Sequence, residues 1–101
     1  MSDAALSAAG EGRWELAGAL DFSSVPTVWP ALEELLRSGG QLTLSLAGVS
    51  HANSAGLVLL VEARDIARRV NCQLRLVDIP GELLDLARIS SCEELIVENG
   101  V

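Results

Sequence analysis

The sequence predicts an α/β domain built on a mixed sheet of 4–5 strands with helices mainly on one face. Three observations lead there. Arg13–Leu20, Gln41–Leu46 and Cys72–Val77 alternate apolar and polar residues, the period of strands buried on one side only. Between and beyond them, stretches starting at Val25 and after Ser54 carry apolar residues at helical spacing. Strands and helices thus take turns along the chain, the order produced by helical crossovers between parallel neighbours. Because the strands alternate instead of being apolar throughout, the second face of the sheet is expected to lack helices.

An N-terminal strand at about Leu6–Ala9 is placed beside Trp14–Ala17 as a hairpin. Arg13–Leu20 follows, opening with Trp14 and Leu16 around Glu15, with Gly18 and Asp21 expected to end it. Val25, Val28, Trp29, Leu32, Leu35 and Leu36 mark the clearest helix, opposite Glu33, Glu34 and Arg37. Proline fits only within about the first turn of a helix, so Pro30 predicts a regular helix beginning near Thr27 or bending there. Gly39-Gly40 stops it. Gln41–Leu46 then sets Leu42, Leu44 and Leu46 against Gln41, Thr43 and Ser45.

The helix after Ser54 is apolar on every side from Ala55 to Val61. It then narrows to a stripe of Leu59, Ala63, Ile66, Ala67 and Val70 facing Arg64, Arg68 and Arg69. A helix lying on a sheet hides only part of its circumference, so at least one of Leu57, Val58 and Leu60 is expected to be exposed. Cys72–Val77 buries Leu74 and Leu76 and turns out Gln73 and Arg75. Pro80 opens a short helix through about Ile89, with Leu83, Leu86 and Ala87 inward. Leu95, Ile96 and Val97 read as a short last strand.

The 101 residues fit one domain, 1–101, with no room for a second core. Half of them are apolar and only three are aromatic, so Leu, Val, Ile and Ala must build that core. The formal charge is −7, and all seven basic residues are arginines. An acidic surface without a basic stripe repels phosphate backbones and anionic lipid, which argues against nucleic-acid binding or direct membrane attachment and favours a protein partner. The lack of lysine removes P-loop and Schiff-base chemistry. Cys72 and Cys92 have neither redox-pair nor zinc spacing and read as two free thiols, so no metal or cofactor is expected. Neither a signal peptide nor an apolar run near the roughly 20 residues of a bilayer span is visible, which places the protein in the cytoplasm.

His51–Leu60 is the most informative stretch, because a small polar turn, Asn53-Ser54, joins an alternating strand to a helix start. Free amides and the positive dipole end meet there, so Ser54 has three readings: a partner contact, a phosphoryl acceptor, or an N-cap. Gly56 either admits a partner's backbone or packs the helix tightly on the sheet. His51, the one histidine, has no Asp or Cys beside it in a known nucleophile arrangement, so an enzyme reading has little support.

Leu16-Ala17-Gly18-Ala19-Leu20-Asp21, Leu44-Ser45-Leu46-Ala47-Gly48-Val49 and Asn53-Ser54-Ala55-Gly56-Leu57, in that order, resemble the STAS domain family. This is the small α/β module of bacterial anti-sigma-factor antagonists and of the cytoplasmic ends of anion transporters. Trp29, the run Ser54–Glu62 and the segment Leu74–Pro80 make the chain most similar to the STAS subunits of Mla-type phospholipid ABC transporters of Gram-negative bacteria. That resemblance implies a noncatalytic, cytoplasmic subunit that docks on the transporter's ATPase, is peripheral to the inner membrane through the complex, and supports outer-membrane lipid asymmetry. Its partner-binding residues would be Asn53, Ser54, Ala55, Gly56, Leu57 and Val58. The alternative within the family is an anti-sigma-factor antagonist regulated by phosphorylation of Ser54. Two positions depart from the family pattern: Asn53 stands where Asp is usual, and Ser45 where an acidic residue is common, which weakens the case for a serine kinase.

Overall fold

The computed structural model of the chain describes residues 4–96. Its elements run β1 (Ala5–Gly10), β2 (Arg13–Leu20), α1 (Val25–Arg37), β3 (Gly40–Ala52), α2 (Ser54–Arg69), β4 (Cys72–Val77), α3 (Gly81–Ile89) and α4 (Glu93–Ile96). One four-stranded sheet has the order β1-β2-β3-β4. β1 is antiparallel to β2, with Leu6 opposite Leu16 and Ala8 opposite Trp14. The other two pairings, β2 with β3 and β3 with β4, are parallel. This is the mixed sheet expected from the sequence.

Period-2 alternation decides which face is covered. Leu42, Leu44 and Leu46 of β3 and Cys72, Leu74 and Leu76 of β4 are buried, while Gln41, Gln73 and Arg75 are exposed. The buried side joins Leu16, Leu32, Leu36, Leu59, Leu60 and Leu83 in one apolar cluster. Helix α2 lies across its middle and touches α1, α3, α4, β3 and β4.

Four local expectations are corrected. First, β2 continues through Gly18 to Leu20, the glycine occupying an irregularity in the pairing with β3 instead of ending the strand. Second, α1 begins at Val25, so Pro30 sits inside it. The amide that Pro30 lacks would have met the carbonyl of Pro26; both residues are exposed, so water can take that role. Third, β3 runs on to Ala52, six residues past Leu46. Exposed Ala47, Gly48 and Ser50 erase the alternation that would have revealed it, and beyond Ser45 the strand pairs with β2 alone.

Fourth, the expected strand Leu95–Val97 is not one where it can be followed: Glu93–Ile96 is a helical turn, and Val97 lies outside the described residues. Ser91, at φ 59°, turns the chain, the Cys92 amide donates to the Ala87 carbonyl at 2.7 Å, and Glu93 and Glu94 suit a helix N-terminus. A three-residue apolar run does not distinguish helix from strand. Ile96 is fully buried either way.

Arg64 also departs from expectation. Rather than joining the solvated face with Arg68 and Arg69, it donates to the carbonyls of Leu74 (2.8 Å) and Leu95 (3.1 Å), tying α2 to β4 and to the last turn.

Candidate functional site

The parallel strands β2 and β3 end side by side, Leu20 opposite Ala52, and each leads directly into a helix-forming turn. In open α/β sheets the carboxyl ends of the strands are where ligands and partners gather. Two short turns shape this end of the molecule.

The first turn follows β2. Asp21 Oδ1 accepts from the Ser23 amide (3.0 Å), the Ser23 hydroxyl (2.7 Å) and the Ser24 amide (2.9 Å). The Ser23 hydroxyl, then the Ser24 amide, hold the Asp21 carboxyl below its ordinary value of 3.8. Ser24, buried, donates its hydroxyl to the Ala19 carbonyl at 2.6 Å and accepts from the Asp21 amide at 2.9 Å. This closed turn leaves Phe22 outside, 71% exposed.

The second turn follows β3. Asn53, in extended conformation, is the N-cap of α2: its side-chain oxygen accepts from the Ala55 amide at 2.9 Å, and its own amide donates to the Leu20 carbonyl at 3.1 Å. The N-cap reading of Ser54 therefore passes to Asn53. Ser54 is the first helical residue, exposed, with no hydrogen bond of its hydroxyl to any described residue.

Of the residues after Ser54, Gly56 and Leu57 belong to the core. A Cβ on Gly56 would meet the Cβ of Leu20 at 3.0 Å and that of Ala52 at 3.3 Å. Its lack of a side chain thus serves helix-to-sheet packing, and neither Gly56 nor Leu57 offers a surface of its own. Leu60 is buried too. Val58 is the exposed member of the trio, 58% open.

Phe22, Val25 and Pro26 from the first turn and α1 meet Ala55 and Val58 of α2 around a nearly all-apolar surface cleft of about 200 Å³. Sequence reading did not identify Phe22, Val25 and Pro26 as part of this site. The one signal for it was a phenylalanine, the only one in the chain, placed in a polar turn where no core element could claim it. A larger groove of about 310 Å³, lined by Leu6, Trp14, Ala31, Glu34, Leu35 and Ser38, lies between α1 and the β1–β2 hairpin and includes nothing from the Ser54 turn.

His51 precedes this turn and is largely exposed; its Nδ1 lies 3.1 Å from Glu82 Oε2. Ser45 donates to Asp78 Oδ2 at 3.1 Å, so the position lacking an acidic side chain borrows a carboxylate from the end of β4. Cys72 is buried, which raises its thiol pKa above 9.0, and Cys92 is half-buried; both are free. Among the described residues no cluster of His, Cys, Asp and Glu could hold a metal ion, and no helix is long and apolar enough to cross a membrane.

A family model described as "Mlab, STAS domain" matches residues 4–98. The chain belongs to this STAS family. STAS domains are in general regulatory and interaction modules that work by binding other proteins. The fold is likewise that of a solved structure titled "Structure of the Anti-Sigma Factor Antagonist SpoIIAA in its Unphosphorylated Form", with a TM-score of 0.69 and 13% identity over 93% of this chain and 85% of that one. A second similar structure, titled "Crystal Structure Analysis of Mglu", gives a TM-score of 0.57 at 21% identity, covering 73% of this chain and 19% of that one. At such identities the likeness shows the fold alone. No curated protein sequence matches the chain.

Proposed function

We propose that this STAS domain is the noncatalytic subunit of an Mla-type phospholipid ABC transporter. In this reading it binds the transporter's ATPase through the Ser54 turn and the Phe22–Val58 cleft. It is cytoplasmic, held at the inner membrane by its complex, and contributes to outer-membrane lipid asymmetry. The observation that carries the reading is the exposed apolar cleft beside an exposed Ser54, on a chain whose other large side chains mostly face one core. The family description, "Mlab, STAS domain", supports the choice of an Mla-type transporter.

A subunit without chemistry of its own acts by linkage. Binding only the assembled form of the ATPase stabilises that form by about 2.7 kcal/mol when the free subunit is at a hundred times its Kd. Val58→Asp and Ser54→Arg place charge and bulk on the exposed surface and leave the core untouched. Both are expected to abolish co-purification with the ATPase while circular dichroism stays that of the parent; undiminished co-purification of both variants overturns the proposal.

The second reading, an anti-sigma-factor antagonist, is favoured by one observation: the Ser54 hydroxyl is exposed at the first position of a helix, where a phosphate meets the positive end of the helix dipole. Intact mass after incubation with a cognate serine kinase separates the two, since a single phosphate lost in Ser54→Ala supports the antagonist.

A further inference from the structure

The chemistry of the partner can be read from what surrounds the cleft, granting the docking role just proposed. Ser54, Val58 and Glu62 recur every four residues on α2, so they form one stripe, with neighbouring side chains about 6 Å apart. Ser54, Val58 and Glu62 are all exposed. The stripe therefore passes from a hydroxyl, through the apolar wall of the cleft, to a carboxylate one turn beyond it.

Three helix acids, Glu34, Glu62 and Glu94, form no ion pair with a described residue, and of these Glu62 is the one that shares its stripe with Val58. Glu33, Asp65 and Asp85 each face an arginine of their own helix, and Glu93 lies 3.7 Å from Arg88. Glu62, by contrast, pairs with no described residue. The arginines that end α1 and α2 stand away from the cleft. Arg37 and Arg69 each lie eleven positions beyond a cleft residue, Pro26 and Val58, roughly 16 Å along a helix at about 1.5 Å per residue. Arg64 is turned away to the carbonyls of Leu74 and Leu95. Screening reduces charge interactions beyond about 8 Å at physiological ionic strength, so these arginines contribute little at the cleft. Asp21, whose carboxylate accepts from Ser23 and Ser24, precedes the cleft residue Phe22 in the chain.

The cleft itself, at about 200 Å³, falls short of the roughly 300 Å³ at which small-molecule pockets begin, and it suits one large side chain. We propose that its occupant is a basic segment of the partner protein: an apolar anchor fills the Phe22–Val58 cleft, and an arginine or lysine one helical turn from that anchor pairs with Glu62. A chain of net charge −7 then recruits its partner through complementary charge at the rim and holds it by apolar burial in the centre.

Rim charges act chiefly on association rate and on its salt dependence. Association of the full chain with the purified ATPase subunit of the phospholipid transporter is measured at low and high ionic strength for the parent, Glu62→Ala, Glu62→Arg, Val58→Asp and, as a distant exposed control, Glu11→Arg. Glu62→Arg is expected to slow association roughly tenfold at low ionic strength, Glu62→Ala less in the same direction, and salt to narrow both gaps. Glu11→Arg is expected to match the parent. If Glu62→Arg associates like the parent while Val58→Asp does not bind, the cleft docks the ATPase but the basic-segment inference is wrong. If Val58→Asp binds like the parent, the docking reading fails and the inference with it.

Discussion

The carboxylate of Glu82, in the first turn of α3, accepts the backbone amide of Ala52 at 3.1 Å and faces His51 Nδ1 at 3.1 Å with its other oxygen. Ala52 is the last residue of β3, and past Ser45 that strand has no partner on the β4 side. Glu82 therefore substitutes for a ladder partner and fixes the strand one residue before Asn53. Removing it leaves the Ala52 amide without this acceptor, so Glu82→Ala is expected to cost about 1–2 kcal/mol by urea unfolding. His51→Ala, which removes only an exposed contact, is expected to cost less than about 0.5 kcal/mol. Equal losses for the two variants would show that the amide bond is not what matters.

Asn53 and Ser54 are adjacent and differ in role. Asn53 caps α2 through the Ala55 amide, so Asn53→Ala is expected to lower stability by about 1 kcal/mol, and Asn53→Asp, an equally good cap, to restore it. Ser54→Ala removes a hydroxyl with no partner in the described chain and is expected to leave the unfolding midpoint within error. A loss of stability in Ser54→Ala as large as that in Asn53→Ala would return the capping role to Ser54.

Gly56→Ala sets two effects against each other. Alanine favours helix over glycine by about 1 kcal/mol, yet the added methyl would sit 3.0 Å from the Leu20 Cβ and 3.3 Å from the Ala52 Cβ. Both neighbours are Cβ atoms fixed to strand backbone, so neither can rotate away. Overpacking of this kind costs about 1–3 kcal/mol, and the net expectation is a destabilised protein with an unchanged fold. A raised melting temperature would mean that the helix-to-sheet spacing adjusts freely.

Much of this structure was legible because one physical signal dominated: β4 and the start of β2 were bounded correctly where apolar residues alternate, and the hairpin expected between Leu6–Ala9 and Trp14–Ala17 is there, with Leu6 opposite Leu16 and Ala8 opposite Trp14. The signal failed where small residues replaced large ones, as at Ala47-Gly48, and where the apolar run was short, as at Leu95-Ile96. At the candidate site, the Asn53-Ser54 turn and an exposed residue among Leu57, Val58 and Leu60 were readable from α2 alone. Phe22 and Pro26 were not, because they reach the cleft across a crossover from β2 to α1, and the distance between two turns thirty residues apart is a property of the sheet register, not of local pattern. The tie from Arg64 to Leu74 and Leu95 was hidden for the same reason.

The turn that presents Phe22 should make the fold sensitive to acid. Asp21 is held below its ordinary carboxylate value first by the Ser23 hydroxyl and then by the Ser24 amide. A carboxylate with a depressed folded-state pKa stabilises the fold above its ordinary value of 3.8 and loses that contribution as pH falls through the folded value. Asp21→Asn can still accept from Ser24 but cannot titrate. The parent is therefore expected to be more stable than Asp21→Asn at neutral pH, and the difference to shrink below about pH 4 and vanish once Asp21 is protonated. Chemical denaturation of both proteins across that range reads the effect directly. A difference that stays constant from neutral pH down through the acid range would mean that the charge on Asp21 contributes nothing to the turn, and that its hydrogen bonds to Ser23 and Ser24 hold Phe22 outward by geometry alone.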